Sequence, residues 1–230
     1  MAVYGRFAPL AQLIFLVVLA LFIVAVPFIE FLPGGELINS LLLTLVLISG
    51  VMAIGTRRGT LVLAMLVVIP GLAARWINYY RPEAMPPGVH LAFGILFLAI
   101  VAVQFLQFLL RAPRVTAQVL QAGISTYLVF GLLWMLAYML VGWLIPGAFG
   151  FSGDPGAGQR MDASNALYYS FVTLTTMGYG DILPVSRVAR MLAILESTTG
   201  VLYMSVLIAR LVGLYSTVTP IRDEDDVAGQ

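Results

Sequence analysis

The sequence predicts an all-α membrane protein with six transmembrane helices plus one short re-entrant helix. Composition is the first reason: of 230 residues, 61% are hydrophobic and 10% charged, against about 45–50% and about 25% in soluble domains. Spacing is the second. The apolar residues fall into six runs near the ~20 residues that cross a bilayer, and a seventh run is too short to do so.

The first run, Leu10 to Leu32, is longer than a secretory core and has no clear small-residue cleavage site after it, so it reads as an uncleaved first helix. Pro33-Gly34-Gly35 then breaks the chain before the second run, Leu37 to Ile54. A turn from Gly55 to Gly59, carrying Arg57 and Arg58, precedes the third, Thr60 to Ile77. Arg81 to Gly88, with three prolines, separates this from the fourth, Val89 to Leu110. The segment from Arg114 to Gln121 reads either as a short interfacial helix or as the start of the fifth run, Ala117 to Ile145. The sixth is Val188 to Val218.

Between the fifth and sixth runs lies Pro146 to Gly158, rich in Gly and Pro, and then a short helix from Asn165 to Thr175 with Asp162 or Ser164 as its N-cap. A helix that enters the bilayer and turns back must leave its following backbone buried in protein or lining a water-filled path. With the N-terminus in the cytoplasm, Arg6, Arg57, Arg58, Arg111, Arg114 and Arg222 fall inside, and Arg75, Arg81, Arg160 and Arg187 outside. That bias has the sign expected for cytoplasmic termini.

All twelve basic residues are Arg and eleven acids nearly cancel them, so there is no basic surface for nucleic acid. There is no cysteine and a single histidine, His90, without an obvious partner; it reads as an interfacial anchor. The acids within membrane segments are scattered, and an enzyme needs convergent groups. No enzymatic activity is expected.

After the short helix comes Thr173-Leu174-Thr175-Thr176-Met177-Gly178-Tyr179-Gly180-Asp181. A dehydrated cation needs oxygens in place of its water shell, and rings of backbone carbonyls supply them. Aiming successive carbonyls at one axis takes backbone conformations that favour glycine, as at Gly178 and Gly180. The segment resembles the selectivity filter of potassium channels, whose usual form is Thr-Val-Gly-Tyr-Gly-Asp. The resemblance implies that the carbonyls of Thr176, Met177, Gly178 and Tyr179, with the Thr176 hydroxyl, hold K+ as the transported ion, Gly180 completing the filter. Thr175, Asp181, Tyr168, Tyr169 and Glu196 would support it, with Tyr179 packed against Tyr168 and Tyr169. One loop cannot surround an ion, so a four-fold symmetric homotetramer in membrane lipid is implied. No organic cofactor is.

From Val115 to Tyr215 the chain is similar to the pore module of bacterial six-helix potassium channels, including Ala189-Arg190-Met191-Leu192 and Glu196 to Tyr203. That implies a pore domain at 115–218 behind a four-helix membrane domain at 1–114, in a bacterial cell membrane. Over the first four helices only the helix count is shared. Gly200, twenty residues after Gly180, is in register for an inner-helix hinge, though a membrane glycine is also a close-packing site. The same register turns Val201, Met204 and Ile208 to a cavity and brings Ile208, Val212 and Tyr215 together at the inner end.

Three features depart from the family. Met177 replaces the commoner Val or Ile and packs less stiffly, Val172 replaces an acid that pairs with the filter aspartate in some members, and the fourth run lacks the arginines of a voltage sensor. Glu196 either braces the short helix or stays protonated as a structural contact; the structural role is preferred, with Arg190 a partner only between chains or through a bend. Arg210 is expected to snorkel. Residues 219–230 form a short acidic cytoplasmic tail, with no further domain expected. The alternatives are a poorly selective cation channel and a secondary transporter. A transporter would show broken helices in both halves, whereas only one interrupted segment is present.

Overall fold

The computed structural model describes residues 4–29, 32–53, 58–81, 83–86, 88–152 and 160–216. It has seven helices among them: α1 (Tyr4–Ile29), α2 (Gly35–Ala53), α3 (Arg58–Tyr80), α4 (Gly88–Arg111), α5 (Ala117–Leu144), the short α6 (Ala163–Leu174) and α7 (Arg187–Ser216). All but α6 are long and apolar enough to cross a membrane.

Helix ends follow local chemistry. Asp162 is the N-cap of α6, its carboxylate accepting from the Asn165 amide at 2.8 Å. Thr116 caps α5 in the same way, accepting from the Val119 amide at 3.3 Å, so residues from Ala117 belong to α5 and no separate interfacial helix precedes it. Helix α1 begins at Tyr4, six residues before the apolar run, because a helix does not need apolar residues to start. α3 runs on to Tyr80. There Trp76 and Tyr80 stack at 6.1 Å, forming the amphipathic aromatic end that suits a membrane interface.

One element departs from a purely helical reading. Phe149–Phe151 (β1) pairs antiparallel with Ile182–Pro184 (β2), with Phe149 opposite Pro184 and Phe151 opposite Ile182. Strands of three residues carry too little alternation to be seen in a sequence.

Helix α5 is the centre of the packing. α4 lies along it most extensively, α1 and α6 also pack on it, and α6 in turn contacts α7. The core runs from Phe15 and Leu19 on α1 through Phe97 and Val101 on α4 to Leu132, Tyr138 and Tyr169. Helix α7 is the exception, with 17% of its span buried against 50% for α5. One side of it packs on the chain through Ala189, Glu196 and Tyr203, while large apolar side chains such as Met191, Ile194, Leu195, Val201 and Leu202 are exposed in the single chain.

Candidate functional site

Helix α6 ends at Thr175, whose amide bonds the Phe171 carbonyl at 3.0 Å and whose hydroxyl donates to the same oxygen at 2.6 Å. The chain then doubles back along the helix end. The Thr176 amide bonds the Thr173 carbonyl at 3.0 Å and the Met177 amide bonds that of Val172 at 2.9 Å. Thr176, Gly178 and Gly180 all have positive φ, at 60°, 57° and 79°. Left-handed residues at every second position interrupt the usual alternation of an extended chain. Glycine adopts this freely, whereas threonine is strained by roughly 1–3 kcal/mol, a burden tolerated mainly at functional positions. The positive φ of Thr176 was not expected from its residue type.

Asp181 closes the segment. Its Oδ2 accepts from the Tyr168 hydroxyl at 2.6 Å, and its Oδ1 from the Ile182 amide at 3.0 Å. The Tyr168 bond holds the Asp181 carboxyl below the usual carboxylate range and pushes the Tyr168 hydroxyl up to about 12. The partner of the Asp181 carboxylate is thus a tyrosine hydroxyl of α6. Tyr168 also stacks on Tyr179, ring centres 6.4 Å apart and 8° from parallel. Tyr169 does not join them. Neighbouring residues on a helix point about 100° apart, so Tyr169 turns inward and packs at 4.8 Å on Tyr138 and 5.6 Å on Phe149.

Behind α6 lies Glu196, fully buried on α7. The Tyr138 hydroxyl donates to its Oε2, while Ser170 Oγ lies 2.5 Å from its Oε1 and 2.8 Å from the Gly131 carbonyl. These contacts tie α7 to α6 and α5 through the Glu196 carboxyl. Within one chain Arg190 turns elsewhere, its guanidinium Nε donating to the Pro184 carbonyl at 3.1 Å. Tyr138 and Ser170 were missed by the sequence reading.

Gly200 sits where α7 crosses the end of α6; a Cβ there would strike the Leu174 carbonyl. Val201, Met204, Ile208 and Val212 are 40–60% exposed in the single chain. The Tyr215 side chain and the acidic tail lie outside the described residues, as do Arg57 and Arg222. Arg210 does not snorkel freely: it donates to the Leu110 and Ala112 carbonyls at 2.8 and 2.9 Å, joining α7 to the end of α4. His90 has a partner after all, its Nε2 lying 3.5 Å from Arg75, which also donates to Ser40 at 3.1 Å.

Residues 138–217 match the family model described as an ion channel. The match covers the last turns of α5, then α6, the carbonyl-bearing loop and α7, and a channel family is not an enzyme class. Similar proteins include two-pore potassium channel 4 of Arabidopsis thaliana, 33% identical over 88 residues that make up 38% of this chain and 30% of that protein. Two pore potassium channel b of Oryza sativa subsp. japonica is 42% identical over 72 residues, 31% of this chain and 20% of its own length. Two pore potassium channel c of the same plant is 32% identical over 80 residues, 35% and 18% of the two chains. The chain thus spans less than a third of the length of these relatives. No solved structure gives a significant match. A multi-pass membrane protein with an ion-channel segment is the common ground of the fold and the comparisons.

Proposed function

We propose that this chain forms a potassium-selective channel that conducts K+ passively as a homotetramer. The carrying observation is the backbone of Thr176 to Gly180, with positive φ at alternate residues directly after a helix too short to span. Four copies of that loop would ring an axis with the carbonyls of Thr176, Met177, Gly178 and Tyr179, replacing the water shell of a dehydrated cation. Four copies of α6 would aim their C-terminal dipole ends at the same axis. The bare face of α7 is the surface such an assembly would cover, which supports closed symmetry.

In this reading residues 115–218 are the pore domain and 1–114 a surrounding four-helix domain, with both termini in the cytoplasm of a bacterial cell. Gly200 acts first as a close-packing contact, and bending at Gly200 would part α7 from Leu174. Val201, Met204 and Ile208 line the cavity, and Ile208, Val212 and Tyr215 narrow its inner end. The names of the plant relatives support K+ as the ion.

The test is reconstitution of the purified chain into planar bilayers with opposed potassium and sodium gradients. Reversal at the potassium equilibrium potential is expected. A reversal potential that follows sodium or chloride overturns the proposal, and one between potassium and sodium would make the pore a poorly selective cation channel.

A further inference from the structure

The carbonyl-bearing loop is held on its inner side by α6, but its outer end is also held by a segment that no motif marks. Ala148 to Ser152 runs beside residues 180–186 as a continuous ladder. At one end the Val185 and Ser186 amides both donate to the Ala148 carbonyl, at 2.8 and 3.1 Å. The β1–β2 pairs occupy the middle. At the other end the Ser152 amide donates to the Asp181 carbonyl at 2.7 Å, and the Ser152 hydroxyl donates to the Gly180 carbonyl at 3.2 Å.

These last two bonds differ in importance. Asp181 is held four ways: its carboxylate by Tyr168 and by the Ile182 amide, its carbonyl by Ser152, and its chain by β2. The Gly180 carbonyl has the Ser152 hydroxyl alone among the described residues. Gly180 is also a glycine at φ 79°, so no side-chain bulk resists rotation of the peptide that follows it, whose amide end bonds the Asp181 carboxylate. The carbonyl end of that peptide, the next after the four taken to hold ions, is held by the Ser152 hydroxyl.

We infer that Ser152 is a positioning residue for the ion filter, fixing the outermost carbonyl through the Gly180–Asp181 peptide and so setting how long the filter stays in its conducting form. The inference rests on the potassium-channel reading. An ion resting among the carbonyls opposes their mutual repulsion, so a filter that has lost an outer restraint depends more on ions supplied from outside. That dependence separates positioning from simple structural damage.

The experiment records steady open probability of the full-length channel in bilayers at low and high external potassium, at constant ionic strength. The variants are Ser152→Ala, which removes the hydroxyl, and Ser152→Thr, which keeps it. Loss of one hydrogen bond is expected to lower the open probability of Ser152→Ala about fivefold at low external potassium. High external potassium should remove most of that deficit, and Ser152→Thr should behave as the parent. In parallel, amide exchange of the purified protein is followed by mass spectrometry. Faster exchange in Ser152→Ala should be confined to residues 177–182, a readout that needs no current. The inference is overturned if Ser152→Ala matches the parent in both measurements, if its deficit is the same at all potassium concentrations, or if Ser152→Thr is equally impaired. Failure of the parent itself to select potassium would refute the functional reading, whereas a selective parent with an indifferent Ser152 refutes only this inference.

Discussion

The first four helices and the last hundred residues are both apolar, yet they are held together by different means. Among the described residues of α1 to α4, the only side-chain bonds between helices converge on Arg75, which reaches Ser40 and His90; the rest is apolar packing such as the Phe15–Phe105 contact at 5.6 Å. From α5 onward, polar bonds cross between elements repeatedly. Tyr138, Ser170 and Glu196 join three helices, Tyr203 donates to the Gly123 carbonyl at 2.6 Å, and Tyr168 and Ser152 grip Asp181. In lipid, packing alone is enough to associate helices. Directed bonds are needed where backbone oxygens must be held at fixed positions, and that is the work proposed for the second region.

The largest effects should therefore come from the loop backbone. Gly178→Ala and Gly180→Ala each place a Cβ on a left-handed residue, although nothing lies within 4 Å of it in the chain. The penalty is conformational, about 1–2 kcal/mol per residue, and four-fold assembly repeats it around the ring. Selective current should fall at least ~100-fold on that scale, measured as macroscopic conductance per reconstituted tetramer. A comparable change among the first four helices, such as Leu45→Ala on an exposed position, should change little. Equal sensitivity in the two regions would end the comparison.

Next comes Glu196. Glu196→Gln keeps the shape and hydrogen-bonding capacity of the side chain, its oxygen able to accept from Tyr138 and its amide to donate to Ser170, so it should retain stability and current. Glu196→Leu leaves the Tyr138 hydroxyl buried without an acceptor, which is expected to destabilise by roughly 1–3 kcal/mol. Thermal unfolding in detergent checks the order; a Gln variant as damaged as Leu would show that the carboxylate is ionised.

How much of this was legible beforehand depends on where the information resides. Gly178, Gly180 and the length of α6 are local, and backbone geometry is written in local residue types. The Glu196 site is not local: Tyr138 lies 58 residues away and Ser170 26 away, and both look like ordinary polar residues in apolar helices. Ser152 stands in a Gly- and Pro-rich stretch that reads as loop. Arg210 reads as a snorkelling residue because its acceptors, the end carbonyls of α4, carry no side-chain signal. Tyr168 and Tyr169 read alike in sequence, but adjacent helical residues do not share a face.

A smaller effect is expected at the outer end of the loop. Tyr168→Phe keeps the stack on Tyr179 and removes the donor to Asp181, so steady conductance should drop several-fold while ion preference is kept. The bond's pH window follows from its two ends. The carboxyl of Asp181 is depressed, so the bond's contribution is complete above the usual carboxylate range and is lost as pH falls through the lowered value. Tyr168, raised to about 12, sets the alkaline limit. Conductance should then be flat from about pH 5 to about pH 9 on this account, and a Tyr168-dependent step inside that window would contradict it.

Arg210 ties the inner ends of the two regions together by hydrogen bonds. Arg210→Met keeps the apolar stem but releases the Leu110 and Ala112 carbonyls, freeing the inner end of α7 from the end of α4. Open probability should shift by about fivefold with selectivity unchanged, read from single-channel recordings. No shift would mean that the first four helices do not bear on the inner end through this contact.

The smallest expected effect is that of voltage. A sensor must move charge through the field, at ~2.3 kcal/mol per elementary charge per 100 mV, and steep gating takes roughly 3–4 charges per subunit. Helix α4 has one basic residue apart from His90, and it is Arg111 in the last turn. Arg75 lies on α3, already engaged with Ser40 and His90, so the charge nearest the right place is held by side chains on either side. Neither helix carries a repeated series that could exchange partners as it slid. The four-helix region thus has the count of a voltage sensor without its charges, which agrees with the mainly apolar packing that separates it from the second region. With permeation blocked, gating currents should be absent, and open probability should vary weakly across physiological voltages. A charge movement of several elementary charges per subunit would show that Arg75 and its neighbours do travel, and that this region is a working sensor.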